Sequence, residues 1–437
     1  MQFPVSLSVK LLGAGLLVIC APSFAWQDKD ANKLKIKGLR EYAKQGSTAI
    51  PKITPYFKDI DAEVRREAVK AVVEIGTQRS LEPLAEVCGD NDPEVQIRAT
   101  DGLVNFYLPG YVDHGISATL RRAGDMVAGK WVDGNDEAIA PDTPIRSEIT
   151  DALSRLVSGG SSMDSRANAA RAMGILRAKA GLPALTGALR SKDSRLMYES
   201  LIAIQKIRDQ SAGRSVVFLI RDLDEKVQLA AIETAGILGP REAIPELKRV
   251  LDNTKSKKVR RAAVVALAQI PEPANHPLFV ELLGDKDDDV RGGAAEGLGR
   301  LMTPEDKPLL VKAWSGEKKA SPRLSQAFAL AMLGDTETGS LEPLGFLINN
   351  LNQRAWRNVA LPFLSELALK QVAARKAIIA AIQPTSTQEE KIGIAEVLSG
   401  TKTPDAIAPL EALTKDEDPA VAREALRSLR ILKANIQ

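Results

Sequence analysis

The sequence predicts an all-α, superhelical solenoid of about eleven helical hairpins with a period of roughly 31 residues. Three observations carry that prediction. Apolar residues recur at helical spacing in short runs, turn signals separate the runs, and the arrangement repeats along a chain of 437 residues. The unit is clearest from Asp222 to Asp252, DLDEKVQLAAIETAGILGPREAIPELKRVLD. One helix there places Val227, Ala231, Ala235 and Leu238 on a single face, and Gly239-Pro240 ends it. The other opens at Ile244-Pro245, where a proline in the first turn forfeits no hydrogen bond, and carries Leu247, Val250 and Leu251. Neither stripe is wide enough to be buried without a neighbouring hairpin.

Composition agrees with close-packed helices. Aromatic residues make up 4% of the chain and small aliphatic ones dominate. A net charge of +3 with 26% charged residues gives no basic or acidic excess, so neither nucleic acid nor an anionic membrane surface is expected as a partner.

Residues 1–25 read differently. Lys10 precedes an apolar core from Leu11 to Cys20, too short to span a bilayer comfortably, and Ser23-Phe24-Ala25 offers small residues where a signal peptidase cuts. The expectation is a secretory signal, an exported chain in the periplasm or beyond, and no stable membrane insertion after cleavage. Two alternatives are a lipoprotein signal on Cys20, although Ile19 stands where that pattern wants a small residue, and an uncleaved anchor. After cleavage Cys88 is the one cysteine left, so no intramolecular disulfide forms. Its place in an apolar helical run predicts a buried, inert thiol.

Residues 26–48 read as an N-terminal capping helix with Leu34, Leu39 and Tyr42 inward. Repeats follow over 49–107 and 145–437, the latter ending in a C-terminal cap. The first residue of each second helix is the anchor that sets the register: Val64, Val95, Ser165, Leu196, Val227, Val259, Val290, Pro322, Trp356, Thr387 and Val421 stand 31 to 34 residues apart, except for one gap of 70. Eight positions on, from Val72 to Leu429, every residue is apolar, and so is every residue eleven positions on, from Ile75 to Leu432. With 44% apolar residues overall, one such column arises by chance about once in ten thousand. Four positions on, nine of eleven residues are Ala or Ser, which lets paired helices approach closely. Prolines such as Pro83, Pro183, Pro245 and Pro409 open the partner helices, and acidic turns such as Asp61-Ala62-Glu63-Val64-Arg65 precede the anchors, where Asp can cap the helix and meet its dipole.

This alternation of a proline-started helix, an acidic turn with Val-Arg and a helix ending in Leu-Gly or Ile-Gly resembles HEAT repeats, in particular the short repeats named after phycobilisome lyases. The resemblance covers nearly the whole mature chain and rests on packing and capping positions, so it implies the fold and not a function. Deoxyhypusine hydroxylase is similar in architecture, but its iron site depends on paired His-Glu motifs that do not occur here. The bilin lyases are similar in repeat type, yet an exported chain would not meet their cytosolic substrates.

The gap of 70 residues marks an insertion or degenerate repeat at 108–144. Around it lie Tyr107, Tyr111, His114, Arg121, Arg122 and Trp131, residue types that dominate binding hot spots, and these are the candidate binding residues. They serve equally well as a local core. Elsewhere the chemistry is sparse. Asp285, Asp287, Asp289 and Glu296 have the spacing of a calcium loop, but Val290 stands at the sharp turn and the register puts 290–301 in a helix. His114 and His276 are the two histidines, and no His/Cys cluster has metal spacing, so no metal and no cofactor is expected. The basic run Lys255 to Arg261 reads as a solvated turn in which Arg260 shares the column of Arg65 and Arg291 and pairs with the next acidic turn.

The expected function is a non-catalytic scaffold that binds a partner protein or peptide on its helical surface or through the 108–144 insertion. The alternative is an enzyme or enzyme subunit, lyase-like or oxidoreductase-like by family resemblance. Export yields the first testable outcome: N-terminal sequencing of the exported protein should begin at Trp26, and retention of Met1 or a lipid on Cys20 would refute it.

Overall fold

The computed structural model describes residues 23–114, 138–140 and 143–436. Residues 1–22 of the expected signal, and Arg121, Arg122 and Trp131, lie outside them. Every regular element among the described residues is helical: α1 (Ser23–Ala43), α2 (Ala62–Ile75), α3 (Leu81–Val87), α4 (Pro93–Tyr107), α5 (Ser147–Gly159), α6 (Met163–Ile175), α7 (Leu182–Ala188), α8 (Ser194–Ile207), α9 (Glu225–Leu238), α10 (Ala243–Asn253) and α11 (Lys257–Gln269). There follow α12 (His276–Leu282), α13 (Asp288–Leu301), α14 (Lys307–Gly316), α15 (Ala320–Met332), α16 (Pro343–Asn349), α17 (Arg357–Lys370), α18 (Val372–Ala380), α19 (Gln388–Ser399), α20 (Ile407–Leu413) and α21 (Pro419–Ile436). Short 3₁₀ turns join them. The chain is an α-solenoid organised as two compact units, one from the N-terminal repeats with 146–156 and 160–165, the other from 138–140, 143–145, 157–159 and everything from Arg166 on.

The second helices begin where their acidic turns let them. Asp61, Asp92, Asp224 and Asp287 each accept the N–H groups two and three residues on, and Asp193 does so for Leu196, satisfying donors at a helix start that have no partner within the helix. A residue two positions earlier holds each cap in place, Ser191 for Asp193 and an aspartate for the others. Asp59, Asp90, Asp222, Asp285 and Asp416 accept the backbone N–H of Asp61, Asp92, Asp224, Asp287 and Asp418 at 2.7 to 3.0 Å. At the other end the helices close in the left-handed region. Gly76 and Gly239 supply it without strain, at φ 58° and 68°, whereas Arg177, Arg208, Met302 and Lys402 adopt it with side chains.

The column eight residues after the anchors is buried throughout, from Val72 to Leu429. The column eleven on is not uniform: Leu176, Leu238, Ile270, Leu367, Leu398 and Leu432 are buried, while Ile75, Phe106, Ile207, Leu301 and Leu333 are half-buried. Those positions fall in or just past the last helical turn, at the mouth of the hairpin. In the column four on, Ala68, Ala99, Ala169, Ser200, Ala231, Ala263 and Ala294 have no exposed surface. Successive second helices come closer still nine positions on. A Cβ on Gly174 would sit 2.7 Å from Ala203 Cα, and one on Gly299 would sit 2.6 Å from Ala329 Cα, so only glycine fits.

Two expectations need correction. Leu34 is 70% exposed, because it lies on the opposite side of α1 from the buried Leu39 and faces solvent. The register also slips near the end. Nine anchors are the third residue of their helix, but Trp356 and Thr387 are N-cap residues, so Val359 and Glu390 take the third position. A slip of three residues is close to one helical turn and leaves the same face inward, which is why the columns stay apolar across it.

Cys88 is buried beside α3, and burial pushes its thiol up to about 12, so it stays protonated and inert. The core columns generate a stability prediction. Leu238→Ala should cost about 2–5 kcal/mol in a denaturant melt through lost burial and a cavity, and Leu301→Ala, in the same column but half-exposed, clearly less. Equal losses would count against the column as the core.

Candidate functional site

In both units arginines near the starts of second helices tie one repeat to the next. Arg65 donates to Asp90 at 2.8 and 3.0 Å, to Asn91 at 2.9 Å and to the carbonyl of Asp59 at 2.9 Å. Arg66 reaches the capping Asp92 at 2.5 Å. In the second unit Arg260 pairs with Asp285 at 2.7 Å, Arg261 with Asp287 and Asp289 at 3.0 and 2.8 Å, Arg291 with Glu317 at 2.8 Å and Lys391 with Asp416 at 2.9 Å. Arg260 therefore has the pairing role expected of its column. The calcium-like spacing is likewise resolved into structure. Asp287 caps α13, Asp285 and Asp287 receive arginines, and Glu296 lies in the third turn of the helix.

A groove of about 570 Å³ opens in the second unit across five successive second helices, α9, α11, α13, α15 and α17. Leu229, Ile237, Val265 and Val359 supply apolar surface in it. Lys258, Arg261, Asp289 and Ser321 come from the helix starts, and Glu233, Gln269 and Glu296 from further along, so polar groups flank the apolar strip. Ile237 is 39% exposed.

The groove rests on a buried ionic cluster. Glu296 accepts from Arg300 at 3.0 Å and from the Ser325 hydroxyl at 3.1 Å. Arg300 also donates to Glu366 on α17 at 2.9 and 3.1 Å, and its guanidinium lies 5.0 Å from the ring centre of Phe328, which stacks on Phe363. Lys370 reaches Glu366 at 2.8 Å. Burial opposes charge on both partners, yet Glu296 and Glu366 raise the Arg300 pKa, and Arg300 and Lys370 hold the Glu366 carboxyl below its usual range. This cluster joins helices two repeats apart.

The residues singled out around the insertion are only partly brought together. Tyr107 is half-buried and meets Phe106 edge to face at 5.1 Å. Tyr111 is 4% exposed, packed in the short helix Tyr111–His114, whose last residue is His114. His276 sits far along the chain at the start of α12, with Nε2 2.9 Å from both Asp306 carboxylate oxygens. Among the described residues no group of three or more His, Cys, Asp or Glu side chains is placed to hold a metal ion, and no helix is long and apolar enough to cross a membrane. The groove itself was not legible as a site. Many of its residues, Leu229, Glu233, Ile237, Arg261, Val265, Gln269 and Glu296 among them, stand two, six or ten positions after the anchors, outside the apolar columns that the period makes countable.

The family described as HEAT repeats matches residues 27–104, 215–278 and 250–332. HEAT repeats are thus present in both units of the chain. No curated protein matches it significantly. Among solved structures the chain is similar to an engineered protein, at 18% identity over 88% of this chain and 98% of the other with a TM-score of 0.37. It is also similar to the complex of CpcE and CpcF of phycocyanin lyase from a Nostoc species, at 20% identity over 58% and 94% of the two chains with a TM-score of 0.41. The fold assignment rests on the repeat geometry and the family match.

The ionic cluster predicts a pH-dependent stability. Because the Glu366 pKa is depressed on folding, its contribution is complete above the ordinary glutamate value of about 4.3 and is lost as pH falls through the lower folded value. Glu366→Gln should therefore melt several degrees below the parent at pH 7, with the gap closing in acid; a gap independent of pH would contradict the cluster's role.

Proposed function

We propose that the chain is an exported, non-catalytic scaffold that holds a segment of a partner protein in the groove of its second unit. The single observation that carries this reading is the groove itself, an apolar strip of Leu229, Ile237, Val265 and Val359 flanked by polar side chains across five repeats. A peptide laid across the helices buries that strip and meets Lys258 at one edge. Support for a binding role over a catalytic one comes from the ionisable groups in the groove. Asp289 is engaged by Arg261 and Glu296 by Arg300, which leaves them bound to structural partners and not poised as acid or base. The export part of the reading rests on the apolar core and Ser23-Phe24-Ala25 end of the first 25 residues.

The test uses the mature chain and its Ile237→Glu and Val265→Glu variants as bait in an envelope extract. Both positions reach the groove surface, so the variants should keep a melting curve near the parent's and lose a protein that the parent retains. A captured protein that binds parent and variants alike would move the site away from the groove.

A further inference from the structure

Many arginines in this solenoid meet carboxylates, but an adjoining pair in the second unit does not. Arg177 and Arg208 follow the last turns of α6 and α8 in consecutive repeats, each in the left-handed conformation, at φ 48° and 56°, which Gly76 and Gly239 fill elsewhere. The helices they terminate nearly touch, since a Cβ on Gly174 would lie 2.7 Å from Ala203 Cα. A lysine of the neighbouring turn, Lys179, takes Asp209, the acid nearest Arg208 in sequence, at 2.8 Å. That contact and the Ser211 hydrogen bonds hold the Asp209 carboxyl well below its usual range, so it is committed elsewhere.

Arg177 has no compensating acceptor. Its Nε is buried and makes no hydrogen bond. At the helix end the carbonyls of Ala172, Met173, Gly174 and Ile175 accept the N–H groups of Leu176, Ala178, Arg177 and Ile139, and the Arg177 Nε reaches none of them. Burial, and then the like charge of Arg208, lower the Arg177 pKa, the reverse of what the paired Arg65, Arg66, Arg261 and Arg291 experience. Arg208 is exposed, but the half-buried Arg177 guanidinium lacks a carboxylate and feels the like charge of Arg208, and a bound anion would offset both the burial and the repulsion.

We infer that Arg177 and Arg208 form a recognition site for an oxyanion, a carboxylate or phosphate group carried by a ligand of this protein. The site is separate from the groove, and either can fail without the other. Planar guanidiniums suit either group, because their paired N–H donors match two oxygens of a carboxylate or a phosphate.

The experiment is thermal melting of the full chain with sodium phosphate or a hexaglutamate peptide, each against sodium chloride at matched ionic strength. The parent should gain a saturable rise in Tm from one or both anions, and which anion works tells phosphate from carboxylate. Arg177→Gln should bind that anion roughly tenfold or more weakly. Arg208→Gly should melt above the parent in chloride, through relief of repulsion and of the left-handed strain, and lose the anion-dependent rise. Exclusion of phosphate from protein surfaces raises Tm generally, so an equal rise in the parent and both variants overturns the site. So does Arg208→Gly melting below the parent in chloride, or the absence of any anion-specific rise.

Discussion

The carboxylate of Asp92 does two things at once. It accepts the N–H groups of Glu94 and Val95, which starts α4, and it receives the guanidinium of Arg66 from the repeat before. Its own backbone N–H is held by Asp90, which in turn pairs with Arg65. Local helix initiation and the stacking of neighbours are thus written into the same side chains. A helix cap contributes about 1 kcal/mol and an exposed ion pair often less, but here the two share atoms, so losing one loosens the other. Asp285 and Asp287 repeat the arrangement with Arg260 and Arg261, and Asp416 repeats part of it with Lys391.

Where the next acidic turn is missing, the arginine finds another partner. Arg323 occupies the column of Arg65, yet the turn between α16 and α17, residues 350–356, carries no carboxylate. Its guanidinium instead lies 4.4 Å from the ring centre of Trp314 and 5.4 Å from that of Phe346, themselves edge to face at 5.2 Å. Aromatic faces stand there in place of a carboxylate, while the Arg323 Nε, like that of Arg177, is buried without a hydrogen bond. Arg177 and Arg208 are the contrasting case, in which neither substitute is present.

Much of this was legible in the sequence, for a physical reason. Packing columns recur because each hairpin must present the same apolar face to its neighbours, and caps recur because each helix start needs an acceptor. Val72 to Leu429 and the Asp-x-Asp turns are therefore periodic and countable. Features that depend on the particular stacking are not. The three-residue slip at Trp356 hides behind the helical repeat, and the exposure of Leu34 depends on which face of α1 meets α2. The reach of Arg300 to Glu366, 66 residues away, follows from how α13, α15 and α17 pack together. The candidate site was least legible of all. Groove positions such as Ile237 and Val265 point outward, where a repeat tolerates any residue, and they become a surface only when five helices lie side by side.

In a repeat array each hairpin gains stability mainly from its nearest neighbours, so energy added at one place is felt close by. Arg300 and Glu366 are an exception, because their bond spans from α13 to α17 and makes the opening of the intervening α15 costly to both. A chain segment lying in the groove would act in the same way over a longer reach. It would touch α9, α11, α13, α15 and α17 together, so that separating any two of them would break contacts with the ligand as well as with each other. Binding there and cooperative stability of the second unit are then one coupled quantity, and the ionic cluster beneath the groove is the part of that coupling the chain supplies by itself.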